Sequence, residues 1–439
     1  HVLWPSIFMA TAFGAGIGTL LMSFLAKMPL AQASGMGLNS MVGTILGGGI
    51  GFVSTYVFNF TIGQAFMMVL ISGIIFLLLS TIRIKGKTVR ELIFDGMPVP
   101  VRSAISVGIG LFIAYIGFQN AGVIVTNQYT QVGFVDFTNW GDQVVNNGVP
   151  ASVAAKTAAV ALIGLFLIAI LDKLKVKGSI IFGILGATIV GIPFGVTNFG
   201  ETISFTEACQ ALPTTFLAIF KEGGIVSLFT DIGRLPMVLV VIFAFSIMDT
   251  FDSIGTFIGT GIRTGIFNAE DETNAENSHG FKTRFDKALF ADATATSIGA
   301  LIGTSNTTTF VESAAGIGVG GRTGFSSVIT AVCFIIAAFL STFVSAVPAA
   351  ATAPVLVIVG IMMTASFKDI NWSDLDEAIP AFFTGIFMSF CYSISDGIAA
   401  GFIFYCIVKI CCKKIKEIHP VVWACTALFI LNFVLLAFI

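Results

Sequence analysis

Apolar runs separated by short polar connections recur along the whole chain. They lie near residues 7–25, 35–57, 62–82, 101–125, 153–171, 179–196 and 235–262, then 288–303, 310–320, 325–347, 350–366, 378–392, 397–412 and 420–439. Most reach the length a bilayer-spanning helix needs, about 17–25 residues. The pattern predicts an all-α polytopic membrane protein. Two places break it. Residues 29–39 (PLAQASGMGLN) combine Pro29, which cannot donate a helical hydrogen bond, with Gly35 and Gly37, which are poor helix formers. Residues 304–309 (TSNTTT) are six small polar residues in a row, a composition that favours extended backbone and local side-chain bonds. Irregular backbone at membrane depth persists only where it is buried in protein or lines a cavity.

The two breaks read as copies of one unit. Sliding residues 10–37 onto 291–318, an ungapped offset of 281, aligns eight identities: Ala10/Ala291, Ala12/Ala293, Ile17/Ile298, Gly18/Gly299, Leu20/Leu301, Ala33/Ala314, Gly35/Gly316 and Gly37/Gly318. Each copy is an apolar helix, a polar break and a Gly-rich helix start. The number of intervening spans makes the copies inverted. Paired, interrupted hydrophobic segments in two halves of a chain point to a transporter's binding site.

Of the 439 residues, 56% are hydrophobic and 10% charged, against about 25% charged in soluble domains. Too little charge is present to coat a soluble globule. The net charge of −2 offers no basic surface for nucleic acid. The 7 Cys form no zinc or disulfide spacing, and the 3 His (His1, His279, His419) fall outside every span, so no metal site is expected. Assigning the connections alternately to two sides divides the 22 Lys and Arg 19 to 3, with Lys156, Lys221 and Arg234 on the poor side. The rich side is cytoplasmic by the positive-inside rule, as in a bacterial-type plasma membrane. On this parity 420–439 is an additional segment, spanning or interfacial.

Acidic groups inside the apolar runs are the candidate chemistry. A carboxylate at the centre of a membrane helix costs at least about 2.5–3.5 kcal/mol and usually marks an ion or substrate path. Asp249 and Asp252 share a helical face in LVVIFAFSIMDTFDSIG, and Glu312 follows the second break. Asp252 and Glu312 are expected to face each other across a substrate, one or both carrying a proton. Asp249 reads as structural, Asp292 has no evident partner, and Asp396 reads as a helix cap. Gly316-x-Gly318-x-Gly320-Gly321 is no nucleotide loop, since no strand precedes it. A channel or a membrane-embedded enzyme is disfavoured: the spans hold no His, no H-E-x-x-H and no G-x-S-x-G.

FDSIGTFIGTGIRTG (251–265), GTSNTTTFVESAAGIGVGGRTG (303–324), SGMGLNS (34–40), GIGLFIAYIGFQNAGVIV (108–125) and EAIPAFF…YSISDGIAAGF resemble the nucleobase–cation symporters, in their adenine/guanine/hypoxanthine permease branch. The resemblance implies fourteen spans as two inverted repeats of seven, with short strands at the starts of spans 3 and 10. It implies a core domain (1–82 and 236–347) and a gate domain (83–235 and 348–412), with 413–439 a basic link and extra segment. It also implies a first span ahead of residue 1. Carried onto this chain, the substrate residues are Asp252, Glu312, Phe310, Val311, Asn39, Ala33 and Thr256, with Asp249, Asp292 and Thr309 as secondary candidates. Thr256 stands where uracil-transporting relatives have His, and Ser34 where this branch has Pro. The implied activity is uptake of hypoxanthine, guanine or adenine by alternating access, coupled to H+ or alternatively Na+ and using no cofactor. Uracil, xanthine or another small solute is the alternative cargo. The partners are then a purine base and the lipid bilayer, with a homodimer left open.

Overall fold

The computed structural model describes residues 3–46, 60–84, 87–127, 129–138, 151–176, 178–199, 204–221, 224–230, 233–266 and 284–437. The second half of the expected span 35–57, part of the long connection after Thr126 and the polar segment beginning at Asn268 fall outside these. The elements used below are numbered in chain order. They are α1 (Leu3–Leu21), which continues as a π-turn over Met22–Ala26, then β1 (Gln32–Ser34), α2 (Met36–Ile45) and α3 (Ile62–Thr81). Next come α4 (Val99–Asn120), α5 (Ala151–Lys173), α6 (Ser179–Gly191), α7 (Leu235–Thr264), α8 (Arg284–Ile302), β2 (Thr307–Thr309) and α9 (Ser313–Gly318). The last are α10 (Gly324–Phe339), α11 (Ala349–Thr364), α12 (Leu375–Phe390), α13 (Ile394–Cys411) and α14 (Pro420–Ala437).

Among the described residues, 7 helices are long and apolar enough to cross a membrane, and the shorter apolar helices include α6, α10 and α14. Their outer faces support that reading. On α6, Ile181, Phe182, Leu185 and Ile189 are exposed, and on α10, Phe325, Ile329, Val332, Ile336 and Phe339 are exposed. These are stripes at helical spacing that water would not tolerate and lipid would.

The chain divides into two compact units. One comprises residues 1–109, 206–339 and 365–439. Inside it, α1 packs on α8 and α10, α8 on α3, and α7 on α3 and α13. Leu38, Val42 and Ile45 of α2 join Phe66 and Met68 of α3 and Phe245 of α7 in one buried cluster. Met28 and Leu30, in the first break, pack with Phe257 of α7, Leu289 of α8 and Ile317 of α9 in another. Both clusters adjoin the breaks, so the irregular backbone is walled by well-packed helices. The segment 420–439 forms α14, which packs on α13 and α7. Phe429 is buried, its ring centroid 4.4 Å from Phe251 and 6.2 Å from Phe402.

The second unit comprises residues 110–205 and 340–364. Here α5, α6 and α11 pack on one another around Ala155, Ala158, Ala161, Ala350 and Ala353. Small residues let helix backbones approach closely, the main packing device where lipid supplies no hydrophobic drive. A Cβ on Gly360 would press on Ala114, with its Cβ only 2.7 Å away.

The two breaks form strands that pair antiparallel, with Gln32 opposite Thr309, Ala33 opposite Thr308 and Ser34 opposite Thr307. This register corrects the repeat offset. Exchanging the strands about the Ala33–Thr308 pair carries Gln32 onto Thr307, and 307 − 32 = 275. One helix earlier, Thr19 and Thr296 each donate to the carbonyl of the first strand residue, and 296 − 19 = 277. The copies therefore correspond at 275–277, and six of the eight identities at 281 are Gly or Ala pairs, which recur at many offsets in close-packed helices. The first copy carries two extra residues between these landmarks. The π-turn of Met22–Ala26 inserts one, and the loop before β1 (27–31) is one longer than that before β2 (303–306).

Candidate functional site

Hydrogen bonds extend the strand pair at both ends. Phe310 N donates to Ala31 O (2.9 Å) and Gly35 N to Asn306 O (3.1 Å). Ala31 N donates to Ser313 Oγ (2.9 Å), tying the first break to the start of α9. Both strands are buried throughout. Extended backbone needs partners there, and the preceding helices provide them. Thr19 Oγ1 accepts from Gln32 N (2.9 Å) and donates to Gln32 O (3.2 Å), while Thr296 Oγ1 donates to Thr307 O (3.1 Å).

Asp292 has the partners that the sequence did not reveal. It is fully buried. Its Oδ1 accepts from Thr309 Oγ1 (2.8 Å) and Gln32 Nε2 (3.1 Å), and its Oδ2 accepts from Ser253 Oγ. One carboxyl on α8 thus joins β1, β2 and α7. Hydrogen bonds to a charged acceptor contribute about 1.5–3 kcal/mol each. Three of them exceed the ~2.5–3.5 kcal/mol cost of an Asp at a helix centre. The carboxyl group is stable here because its acceptor sites are occupied.

Asp252 differs. It lies one residue from Ser253, is half-buried, and takes a hydrogen bond from the backbone N–H of Ser395 (3.1 Å) in the first turn of α13. A carboxylate offers about four acceptor positions, so Asp252 retains capacity for a ligand where Asp292 has little. The cap of α13 is Ser393, whose Oγ accepts from Asp396 N (3.2 Å). Asp396 is therefore a first-turn acid, not the cap. Asp396 and the Ser395 N–H that Asp252 accepts from both lie in this first turn, so two acids share the positive end of α13.

Glu312 occupies the N-cap position of α9, yet its side chain makes no capping bond. It is half-buried, and among the described residues its carboxyl accepts no hydrogen bond from another side chain. The element it begins packs against α7, the helix of Asp252. The structure thus brings the two acids onto neighbouring elements, both partly accessible.

The remaining candidates divide. Phe310 is half-buried at the end of β2; Val311 and Ala33 are buried. Asn39 is exposed and ties the first break to the second, its Nδ2 donating to Ser34 Oγ (3.2 Å) and its Oδ1 accepting from Ser305 Oγ. Thr256 and Asp249 are buried in α7. Among the described residues no group of three His, Cys, Asp or Glu side chains could hold a metal. Sequence reasoning did not single out Gln32, Ser253 or Ser395. Only Gln32 carried a signal, as the one long polar side chain inside the first break.

Several known proteins similar to this chain are named as permeases. The chain is 36% identical to the putative permease MJ0326 of Methanocaldococcus jannaschii, over 98% of this chain and 88% of that one. It is 32% identical to adenine permease AdeQ of Escherichia coli (98% and 85%) and 33% identical to guanine/hypoxanthine permease PbuG of Bacillus subtilis (98% and 87%). Among solved structures it superposes on murine Slc26a9, an anion transporter captured in the inward-facing state, with a TM-score of 0.51 at 12% identity. That alignment covers 94% of this chain and 67% of that one. At such low identity the likeness shows the fold alone, the seven-plus-seven inverted repeat. With residues 2–400 matching its profile, the chain belongs to the Permease family of nucleobase transporters, and it is an integral membrane protein.

Proposed function

We propose that this protein takes up purine bases (hypoxanthine, guanine or adenine) by alternating access, with H+ as the coupling ion. The observation that carries the reading is the strand pair formed by the two breaks, flanked by Asp252 on α7 and Glu312 at the start of α9. A purine presents donors and acceptors along planar edges, and carboxyl groups with spare acceptor capacity suit its N–H groups. Phe310, at the end of β2, supplies an aromatic face for the ring. Glu312, uncapped and unpaired among described side chains, is the proton carrier. As a neutral acid it donates to the base, and as a carboxylate it accepts. The names of the adenine and guanine/hypoxanthine permeases support purine over uracil or xanthine as cargo. The basic connections face the cytoplasm of a plasma membrane, and the protein is a carrier rather than an enzyme.

The test is uptake of labelled hypoxanthine, guanine and adenine in cells lacking their own purine transporters, measured against external pH. Saturable uptake that rises as pH falls is expected, and Glu312→Gln should flatten that dependence. Uptake no greater than vector alone, with the protein present in the membrane, would overturn the reading. Preferential uptake of uracil would replace its cargo.

A further inference from the structure

We infer that Asp292 is a positioning residue, the post that holds the Asp252 helix and both strands in one register, and that it does so without touching the substrate or carrying its proton. The inference rests on the transport reading above.

Three independent elements meet at this one carboxyl. From β1 comes Gln32 Nε2 (3.1 Å), from β2 Thr309 Oγ1 (2.8 Å), and from α7 the hydroxyl of Ser253. Each donor sits close to a residue proposed to meet the base. Ser253 follows Asp252, and Thr309 precedes Phe310 and lies three residues before Glu312. Gln32 is directly opposite Thr309 in the ladder, and its Nε2 also reaches Thr309 Oγ1 (3.3 Å). Gln32, Thr309 and Asp292 therefore form a closed triangle, and Ser253 links that triangle to α7. The two acids of the site come from distant parts of the chain. Along this path their backbones are connected by four hydrogen-bonding side chains.

Burial argues for support rather than contact. Asp292 is fully buried, Gln32 and Ser253 are fully buried, and Thr309 nearly so, whereas Asp252 and Glu312 are partly exposed. A ligand reaching Asp292 would have to displace one of three donors on separate elements. A proton carrier must exchange partners as the site changes access, whereas both oxygens of Asp292 are already occupied by donors from three separate elements. The small residues around it fit the same role. A Cβ on Gly18 would lie 3.0 Å from Gln32 Oε1, so α1 closes over the back of the Gln32 amide.

The test compares purified Asp292→Asn, Asp292→Ala and Thr309→Val with wild type, reading binding of labelled hypoxanthine, KM against maximal rate, and the pH profile of uptake. Asn is isosteric. Its carbonyl can accept from Gln32 and Thr309, and its amide can donate to Ser253 once that hydroxyl turns. Asp292→Asn should therefore keep KM within about threefold and leave the pH profile in place. Asp292→Ala and Thr309→Val should raise KM about tenfold or more, with maximal rate at saturating base much less affected. If Asp292→Ala does not fold, Thr309→Val, which removes one arm while filling the same space, still decides the matter. A KM unchanged in Thr309→Val and Asp292→Ala would overturn the inference. A pH profile flattened in Asp292→Asn would overturn it in favour of proton carriage. A wild-type protein that binds no purine would instead remove the functional reading beneath it.

Discussion

Gly18→Ala adds one methyl group where α1 meets α8 and the strand pair. The new Cβ would stand 3.0 Å from Ala295 Cβ, 3.0 Å from Gln32 Oε1 and 3.2 Å from Thr307 Cγ2. Ordinary carbon contacts lie at about 3.5–4.0 Å, so α1, α8 or the strand pair must move by several tenths of an ångström. Retreat is hindered on all sides. Ala295 has no longer side chain to swing away, Gln32 is held by Asp292, and Thr307 lies in the ladder. Overpacking a tight core costs about 1–3 kcal/mol, and three contacts at once place this site near the upper end. Alanine is the better helix former by about 1 kcal/mol, which leaves a net cost of about 2 kcal/mol. If the strain falls on the strands, that is about a 30-fold loss of affinity, at 1.4 kcal/mol per tenfold. The assay is equilibrium binding of labelled hypoxanthine to purified protein, with a thermal melt alongside. Gly316→Ala in α9 is the control: its Cβ meets nothing within 4 Å, so the same chemical change should leave affinity within about twofold. Wild-type affinity and an unchanged melting temperature in Gly18→Ala would refute the claim that α1 closes tightly on the strand pair.

Other expectations concern the rest of the same unit. Phe429→Ala should lower the melting temperature, since truncating a buried Phe costs about 3–5 kcal/mol in well-packed cores. An unchanged melt would show that α14 adds no stability by packing on Phe251. Asp376, ahead of the span begun at 378, is bonded to Lys414 Nζ at 2.5 Å and to Cys412 Sγ at 3.1 Å, and the Lys414 bond holds its carboxyl below the usual carboxylate range. With the folded value depressed, its stabilisation is present above the unfolded pKa, about 3.9, and fades as pH falls through the folded one. Wild type and Asp376→Asn should therefore differ slightly in melting temperature at pH 7 and converge in acid, and screening of so exposed a pair by salt should shrink the difference. A gap that widens in acid would refute this sign.

The positions of the breaks and of the acids were legible in the sequence because each violates a strong rule. Pro29 and the 304–309 polar run cannot continue a membrane helix, and Asp252 and Glu312 are costly in an apolar run. The relation between those features was not legible. The repeat register rests on a strand pairing and on Thr19 and Thr296, whereas Gly and Ala recur in any close-packed membrane helix and align at many offsets. The partners of Asp292 lie 260, 39 and 17 residues away, so no local pattern announces them. Asp396 resembled a cap because acids favour helix starts generally. The serine three residues earlier takes that role because its φ of −150° lets its hydroxyl turn back onto the first turn.

The most direct test of the account is proton movement driven by base. Purified protein in vesicles carrying a pH-sensitive dye is given hypoxanthine on one side, with Asp252→Ala and Glu312→Gln run in parallel. The account predicts base-dependent proton flux in wild type, base exchange without proton flux in Glu312→Gln, and neither in Asp252→Ala. Proton flux of wild-type size in both variants would contradict the assignment of these two acids to the site.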